Sequence, residues 1–179
     1  MACQNNTNNT QTYKNIPLPT VKLSNEDRQQ VMVEIIDTLM YKSGLPNMTL
    51  EIACGITGNI KKESADFNYT AIGDNGNSYG LCQWHNNRLE KLYNFCKENN
   101  LSYTSVDGQV KYLVHELNND YKNVYSTISS PEYANDLDKV TEYFCLNFES
   151  PKYKETVCPK RIPAAREVLK EYKHLKGSS

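Results

Sequence analysis

Glu63 stands three residues after Ile60 and seven after Ile56, at the end of a stretch that reads as an apolar helix face. At helical spacing these side chains share one side. A carboxyl there points toward the core or its edge. It also sits at a helix C-terminus, where the backbone dipole opposes negative charge. Both effects favour the protonated acid over the carboxylate that glutamate ordinarily forms above about pH 4.3. A carboxyl that keeps its proton near neutrality suits general-acid chemistry, above all cleavage of a glycosidic bond. The competing role is a solvated helix end screened by Lys61 and Lys62. Gly55 and Gly58 bare one side of the same helix, so that a ligand or a packed neighbour comes close.

The segment after Glu63 is rich in Gly, Asn and Tyr and closes on Tyr79-Gly80-Leu81-Cys82-Gln83-Trp84. Gly73, Gly76 and Gly80 permit turns that other residues resist. Tyr69, Tyr79, Trp84 and His85 offer flat surfaces and polar tips suited to sugar rings, and Gln83 offers an amide for an acetamido or hydroxyl group. The competing role of each is local packing.

The elements that must position these groups are mostly helices. Ser24 is the expected cap of the first, with Glu26 and Asp27 in its first turn. Val31, Ile35 and Leu39 recur every four residues beside Met32, Ile36 and Met40. Gly44 and Pro46 end that helix. Thr49 caps a second, with Ile52, Ala53, Ile56 and Ile60 as its stripe. A third covers 88–99, with Leu89, Leu92, Tyr93 and Cys96. Ser105 starts a fourth, with Val106, Val110, Leu113 and Leu117. Pro131 opens another, with Leu137, Val140, Phe144 and Phe148. A last begins near Pro163, with Ala165, Val168, Leu169 and Tyr172. Only 68–84 has room for a small hairpin, with Asp74-Asn75-Gly76 as its turn. The expected class is mainly α.

Residues 1–20, rich in Asn, Thr and Gln and ending in Pro17 and Pro19, are expected to form a disordered arm. Residues 21–175 form one domain and 176–179 a flexible end. A formal net charge of -1 lacks the basic excess that nucleic acid or an anionic membrane demands, so neither is expected as a partner. No apolar run is long enough to cross a bilayer. The first residues carry neither a basic region nor an apolar run, which predicts synthesis in a host cytoplasm without a cleaved signal. Cys54, Cys96 and Cys145 fall on apolar helix faces and are expected as buried free thiols; one or two bridges are the alternative.

Taken together, "GITGNIKKES…AIGDNGNSYGLCQW…R" resembles the phage tail lysozyme family, peptidoglycan-cleaving domains carried on bacteriophage tails. The family's first block, G-x-x-G-N-x-x-x-E-S, is met by Gly55, Gly58, Asn59, Glu63 and Ser64. Asn68, Ala71, Ile72 and Gly73 meet the N-x-x-A-I-G loop. Ser78, Gly80, Leu81, Gln83 and Trp84 meet S-x-G-L-x-Q-W, with Arg88 following. "YFCLNFESP…R", with Phe148, Glu149, Pro151 and Arg161 or Arg166, is similar to a later F-x-x-x-[YF]-E-x-P segment. The likeness spans roughly 24–172 and extends to goose-type lysozymes and lytic transglycosylases.

The resemblance implies a lysozyme-like, two-lobed helical fold with the hairpin region bordering a glycan cleft. It implies that Glu63 protonates the oxygen between N-acetylmuramic acid and N-acetylglucosamine. Ser78, Tyr79, Gln83, Trp84 and Glu149 are the implied substrate-binding residues, and the loop serves binding rather than burial. Bacterial peptidoglycan is the implied partner and phage tail proteins are further ones. The location is a virion tail acting on the cell wall. No cofactor or metal is called for.

A hydrolase of this kind uses a second carboxylate, whereas a lytic transglycosylase lets the substrate's own 6-hydroxyl attack. Asp74 is the first candidate, its competing role being to start the turn; Asp66 is the second, its competing role being that of a turn former. Glu149 follows a helix, where its competing role is an ion pair with Arg161 or Arg166. Cys82 departs from the Met or Val of many relatives and is expected to pack under the cleft.

Other classes fit less well. A cysteine peptidase or amidase would need Cys54 or Cys82 with His115 or His85. Cys54, however, lies mid-helix and Cys82 lies inside the lysozyme-like motif. A zinc site at Cys82 and His85 lacks a second spaced ligand pair. A wall-binding or tail-structural module would share the fold without needing Glu63.

Overall fold

A computed structural model describes residues 15–177. The chain is mainly helical with a small antiparallel sheet. In order it runs α1 (Asn25–Tyr41), α2 (Leu50–Glu63), β1 (Ile72–Gly73), β2 (Ser78–Tyr79), β3 (Trp84–His85), α3 (Asn87–Glu98), α4 (Val106–Asn118), α5 (Lys122–Ile128), α6 (Leu137–Phe144), α7 (Lys154–Val157) and α8 (Arg161–Gly177).

Local chemistry sets several helix starts as expected. Ser24 and Asp27 form a reciprocal capping box, with the Asp27 amide 3.1 Å from Ser24 Oγ and the Ser24 amide 2.8 Å from Asp27 Oδ2. Thr49 accepts from the Ile52 amide at 3.2 Å and Ser105 from the Gly108 amide at 3.1 Å. Pro131 does not open a helix. It sits in a turn, and α6 begins at Leu137, where Asp136 caps by accepting the Lys139 amide at 3.1 Å. The side-chain cap overrides the proline signal. The short α5, unforeseen, buries Val124, Tyr125 and Ile128.

The second helix is central rather than amphipathic. Every residue from Ile52 to Ile60 is buried, as a helix packed on all sides requires. A Cβ at Gly58 would lie 2.5 Å from the Cα of Ala165 on α8, and one at Gly55 would lie 2.7 Å from Val140 Cγ1 on α6. Both glycines therefore serve helix packing, and they bring α6 and α8 onto the helix that ends at Glu63.

The sheet orders its strands β1-β2-β3, pairing Ile72 with Tyr79 and Tyr79 with Trp84. Asp74–Gly76 form the expected turn, with Asn75 and Gly76 at positive φ (55° and 92°). Residues 15–20, expected in the free arm, lie against the domain. The phenol of Tyr103 donates to the Pro17 carbonyl at 2.6 Å, that of Tyr79 donates to the Pro19 carbonyl at 2.9 Å, and Ile16 and Leu18 pack on the core. The rest of the arm, with Cys3, and the last two residues lie outside the described residues. One cysteine expectation is corrected. Cys145 is not free but bridges to Cys158, with Cα atoms 5.5 Å apart, whereas Cys54, Cys82 and Cys96 are buried free thiols.

Candidate active site

Glu63 is the last residue of α2, and its side chain retains 21 % of its surface. The apolar face predicted from the periodicity ends there against a guanidinium. Arg161, the first residue of α8, pairs through Nη2 with Glu63 Oε1, and its Nη1 donates to the Asn59 carbonyl at 2.8 Å. Arg161 was expected as a partner of Glu149; it binds Glu63 instead, and Arg166 pairs with Asp138. Asn59 completes the corner, its amide donating to the carbonyls of Gly55 and Thr141, each at 3.0 Å.

The chain leaves Glu63 through an uncommon turn. Ala65, Asp66 and Phe67 have φ of 49°, 66° and 63°, three successive side-chain-bearing residues in the left-handed region. The Arg28 guanidinium on α1 donates to the carbonyls of both Ala65 (2.8 Å) and Asp66. The Asp66 amide reaches the Lys61 carbonyl at 2.8 Å, and the Asn68 amide reaches that of Ser64 at 3.0 Å. Buried Phe67 anchors the turn. Asp66 thus falls in a turn, as its residue type suggested.

The hairpin is packed rather than open, which corrects the expectation of a loop that buries little. Ser78, Tyr79, Leu81, Cys82 and Trp84 are all buried. Gln83, at φ 46°, is an internal strut: its Nε2 donates to the carbonyls of Ala71 (3.1 Å) and Gly80 (2.9 Å), and its Oε1 accepts from Ser78 Oγ at 2.9 Å. A Cβ at Gly73 would lie 2.2 Å from that oxygen. The Trp84 indole donates to Glu116 Oε2 at 2.8 Å. Asp74 is exposed at the hairpin tip. Cys82 is buried, and burial holds its thiol well above the usual range.

A second cluster lies behind the hairpin. Glu116 on α4 is fully buried and binds Arg88 of α3 by two hydrogen bonds of 2.9 and 3.0 Å. The guanidinium of Arg88 stacks over Phe148 (4.8 Å) and Tyr121 (5.2 Å). Glu149 closes a π-helical turn, Cys145–Glu149, that widens the end of α6, and Ser150 at φ 49° then reverses the chain. The Glu149 Oε1 atom is buried without a protein hydrogen-bond partner among the described residues. Burial, then the nearby charge of Glu63, push the Glu149 carboxyl up to about 8.

Sequence reasoning did not find Glu116, Gln109 or Arg28. Buried Gln109 holds the loop from α4: its Oε1 accepts the Leu81 amide at 2.9 Å, and its Nε2 donates to the carbonyls of Tyr69 (2.8 Å) and Tyr103 (2.9 Å). Gln109 and Glu116 stand two helical turns apart along the buried stripe of α4. Polar tips on a buried face require partners, and that was the available signal. Arg28 gave none, because its acceptors are carbonyls in a distant turn.

A search of curated proteins gives no match. The family model described as phage tail lysozyme matches residues 30–172, a span that includes Glu63, the hairpin, Glu149 and Arg161. With most of its length so matched, and Glu63 and Arg161 joined within that span, the chain belongs to the phage tail lysozyme family.

Proposed function

We propose that the protein cleaves the β-1,4 bond between N-acetylmuramic acid and N-acetylglucosamine in peptidoglycan, with Glu63 as general acid. The family already points to a peptidoglycan-degrading role. The observation that carries the finer reading is the placement of Glu63 at a helix end, partly exposed, with one oxygen fixed by Arg161. Its other oxygen is the one to meet the scissile bond. Transfer of a proton to the glycosidic oxygen lets the leaving sugar depart as the retained ring takes on oxocarbenium character. A desolvated cleft supplies this chemistry without a metal or cofactor.

In the hydrolytic reading Asp74, carried on the hairpin tip, orients the attacking water. One observation favours a lytic transglycosylase instead: Glu149, the carboxyl on which the Glu63 charge acts, has a buried Oε1 atom and rests protonated, so in that state it does not accept a proton from water. Ser78, Tyr79, Gln83 and Trp84 serve the cleft from inside, fixing the hairpin that borders it. Tyr153, 65 % exposed and four residues past Glu149, supplies an aromatic face for a sugar ring. The same reading has the protein act from a virion tail, with tail proteins as partners.

Mass spectrometry of products from purified peptidoglycan, with wild type and Glu63→Gln in parallel, tests this. Reducing-end muropeptides from wild type and none from the variant support a Glu63-dependent muramidase. Anhydro-muropeptides support the transglycosylase. No glycan fragments from wild type on several wall types would leave a binding or structural module.

A further inference from the structure

We propose that Glu149 holds the proton that Glu63 delivers, with Arg161 as the switch between the two carboxyls. This rests on the reading of Glu63 as the acid. Arg161 fixes Glu63 in an ion pair in the resting structure, yet a general acid must carry a proton. A neighbouring carboxyl that rests protonated supplies one.

The charges around Glu149 leave it as that store. It is faced by Glu63 from α2, Arg161 from α8, Arg88 from α3 and Glu116 from α4. The Cys82 thiol and the Tyr121 phenol, also close by, are held neutral by burial. Arg88 is committed to Glu116 by two hydrogen bonds. Arg161 is committed to Glu63 and to the Asn59 carbonyl. Three carboxyls thus share two guanidiniums, and the one left over is Glu149, whose Oε1 is buried without a protein partner among the described residues. An ionised carboxylate in that position is costly, and a neutral acid much less so. One proton on Glu149 brings the five groups to neutrality. The π-helical turn that presents Glu149 is of a kind that often marks functional sites.

The switch conserves charge. The O–H bond of Glu149 breaks and an O–H bond forms on Glu63, directly or through one water. Arg161 then leaves Glu63 and pairs with the new Glu149 carboxylate. The trio remains neutral throughout, so no net charge is created in a poorly solvated corner. Glu63 then gives its proton to the glycosidic oxygen. The attacking hydroxyl group, of water or of the substrate's 6-position, loses a proton that returns to the pair. Glu149 is in this sense a positioning residue, acting through Glu63.

Infrared spectroscopy of the carboxyl C=O stretch reads the proton directly. At neutral pH the wild type is expected to show one buried protonated acid, and Glu149→Gln to lack it. Glu63→Gln is expected to lack it too, because Arg161 is then free to pair with Glu149 and hold it ionised. Kinetics of Glu149→Gln should show kcat reduced roughly ten- to a hundred-fold, at the low end of acid–base contributions, with KM near wild type and the alkaline limb of the pH profile altered. Absence of a protonated acid in wild type, its persistence in Glu149→Gln or in Glu63→Gln, or a wild-type rate and pH profile in Glu149→Gln would overturn the proposal. If Glu149→Gln does not fold, the wild-type and Glu63→Gln spectra decide. Full activity in Glu63→Gln would sink the Glu63 reading itself, and the delivery step with it. A failure of the Glu149 role alone leaves Glu63→Gln inactive, so the two failures are distinguishable.

Discussion

Arg161, the first residue of α8, closes on Glu63, the last residue of α2, and grips the Asn59 carbonyl one turn earlier on the same helix. One nearly buried guanidinium thus fixes both the position of the carboxyl and the packing of two helices. Arg161→Ala removes the charge, leaves the Glu63 carboxylate without its partner and deletes the added hydrogen bond to the Asn59 carbonyl. Losing one member of a buried pair costs about 3–5 kcal/mol, and partial exposure of Glu63 lowers that here to about 2–3 kcal/mol. Urea unfolding should register the loss, and wall-clearing activity should fall with it. Arg161→Lys should recover part of the stability and little of the activity, because a point charge cannot hold both oxygens.

Arg28 should matter although it is remote from Glu63 in sequence. Residues in left-handed conformations such as Ala65, Asp66 and Phe67 cost about 1–3 kcal/mol each and persist only where their surroundings enforce them. Arg28 enforces the turn from α1 by bonding two of its carbonyls. Arg28→Ala is expected to lower stability by about 1–2 kcal/mol. It should lower kcat more than it raises KM, since the turn fixes the carboxyl end of α2. Unchanged kinetics at full stability would show that the turn holds without it.

Features written in neighbouring residues were legible in the sequence, and features made by distant encounters were not. Ser24, Thr49 and Ser105 could be read as caps because a cap satisfies amides two or three residues away. Glu63 was legible through its motif. Its partner was not, because Arg161 is 98 residues away and competed with Arg166 for the same expected role. The residue types of Tyr79 and Trp84 suit sugar rings, but type does not show burial; both are fully buried within the hairpin strands. The Cys145–Cys158 bridge depends on a 5.5 Å approach that only the folded chain reveals.

Gly58→Ala separates helix propensity from packing. In an exposed helix the exchange would stabilise by about 1 kcal/mol. Here the new methyl would meet Ala165 backbone at 2.5 Å, and overpacking of this kind costs about 1–3 kcal/mol. Net destabilisation is expected, together with lower activity as α8 and Arg161 move off Glu63. Gly55→Ala should cost less, because its closest contact is a Val140 side-chain methyl at 2.7 Å and its nearest backbone atom, Thr141 N, lies at 3.3 Å, whereas Gly58 meets Ala165 backbone at 2.5 Å. Equal melting temperatures for the two variants would contradict this ordering.

The disulfide encloses the segment that carries Glu149. Cys145 begins the π-helical turn and Cys158 lies three residues before Arg161. Opening a closed loop of 13 residues' separation should cost about 2–3 kcal/mol. The Cys145→Ser/Cys158→Ser double variant should show that loss in urea unfolding, and activity should decline ahead of global unfolding. A double variant as stable and active as wild type would mean that packing alone holds the segment.

Glu149 should also give folding a recognisable pH dependence. Its folded value lies near 8 against an ordinary value of 4.5, because burial and the Glu63 charge oppose ionisation. Below the ordinary value both folded and unfolded chains hold the proton, and stability is fully present. As pH rises, the unfolded chain releases its proton first, so stability falls through the interval up to about 8 and then levels off. The slope contributed by one such group is at most about 1.4 kcal/mol per pH unit. Glu149→Gln cannot ionise and should remove that slope, so the variant should gain on wild type as pH rises. Melting temperatures of both proteins from about pH 5 to about pH 9 read the difference directly. Parallel curves would place the Glu149 carboxyl in the ordinary range and remove the reason for a stored proton.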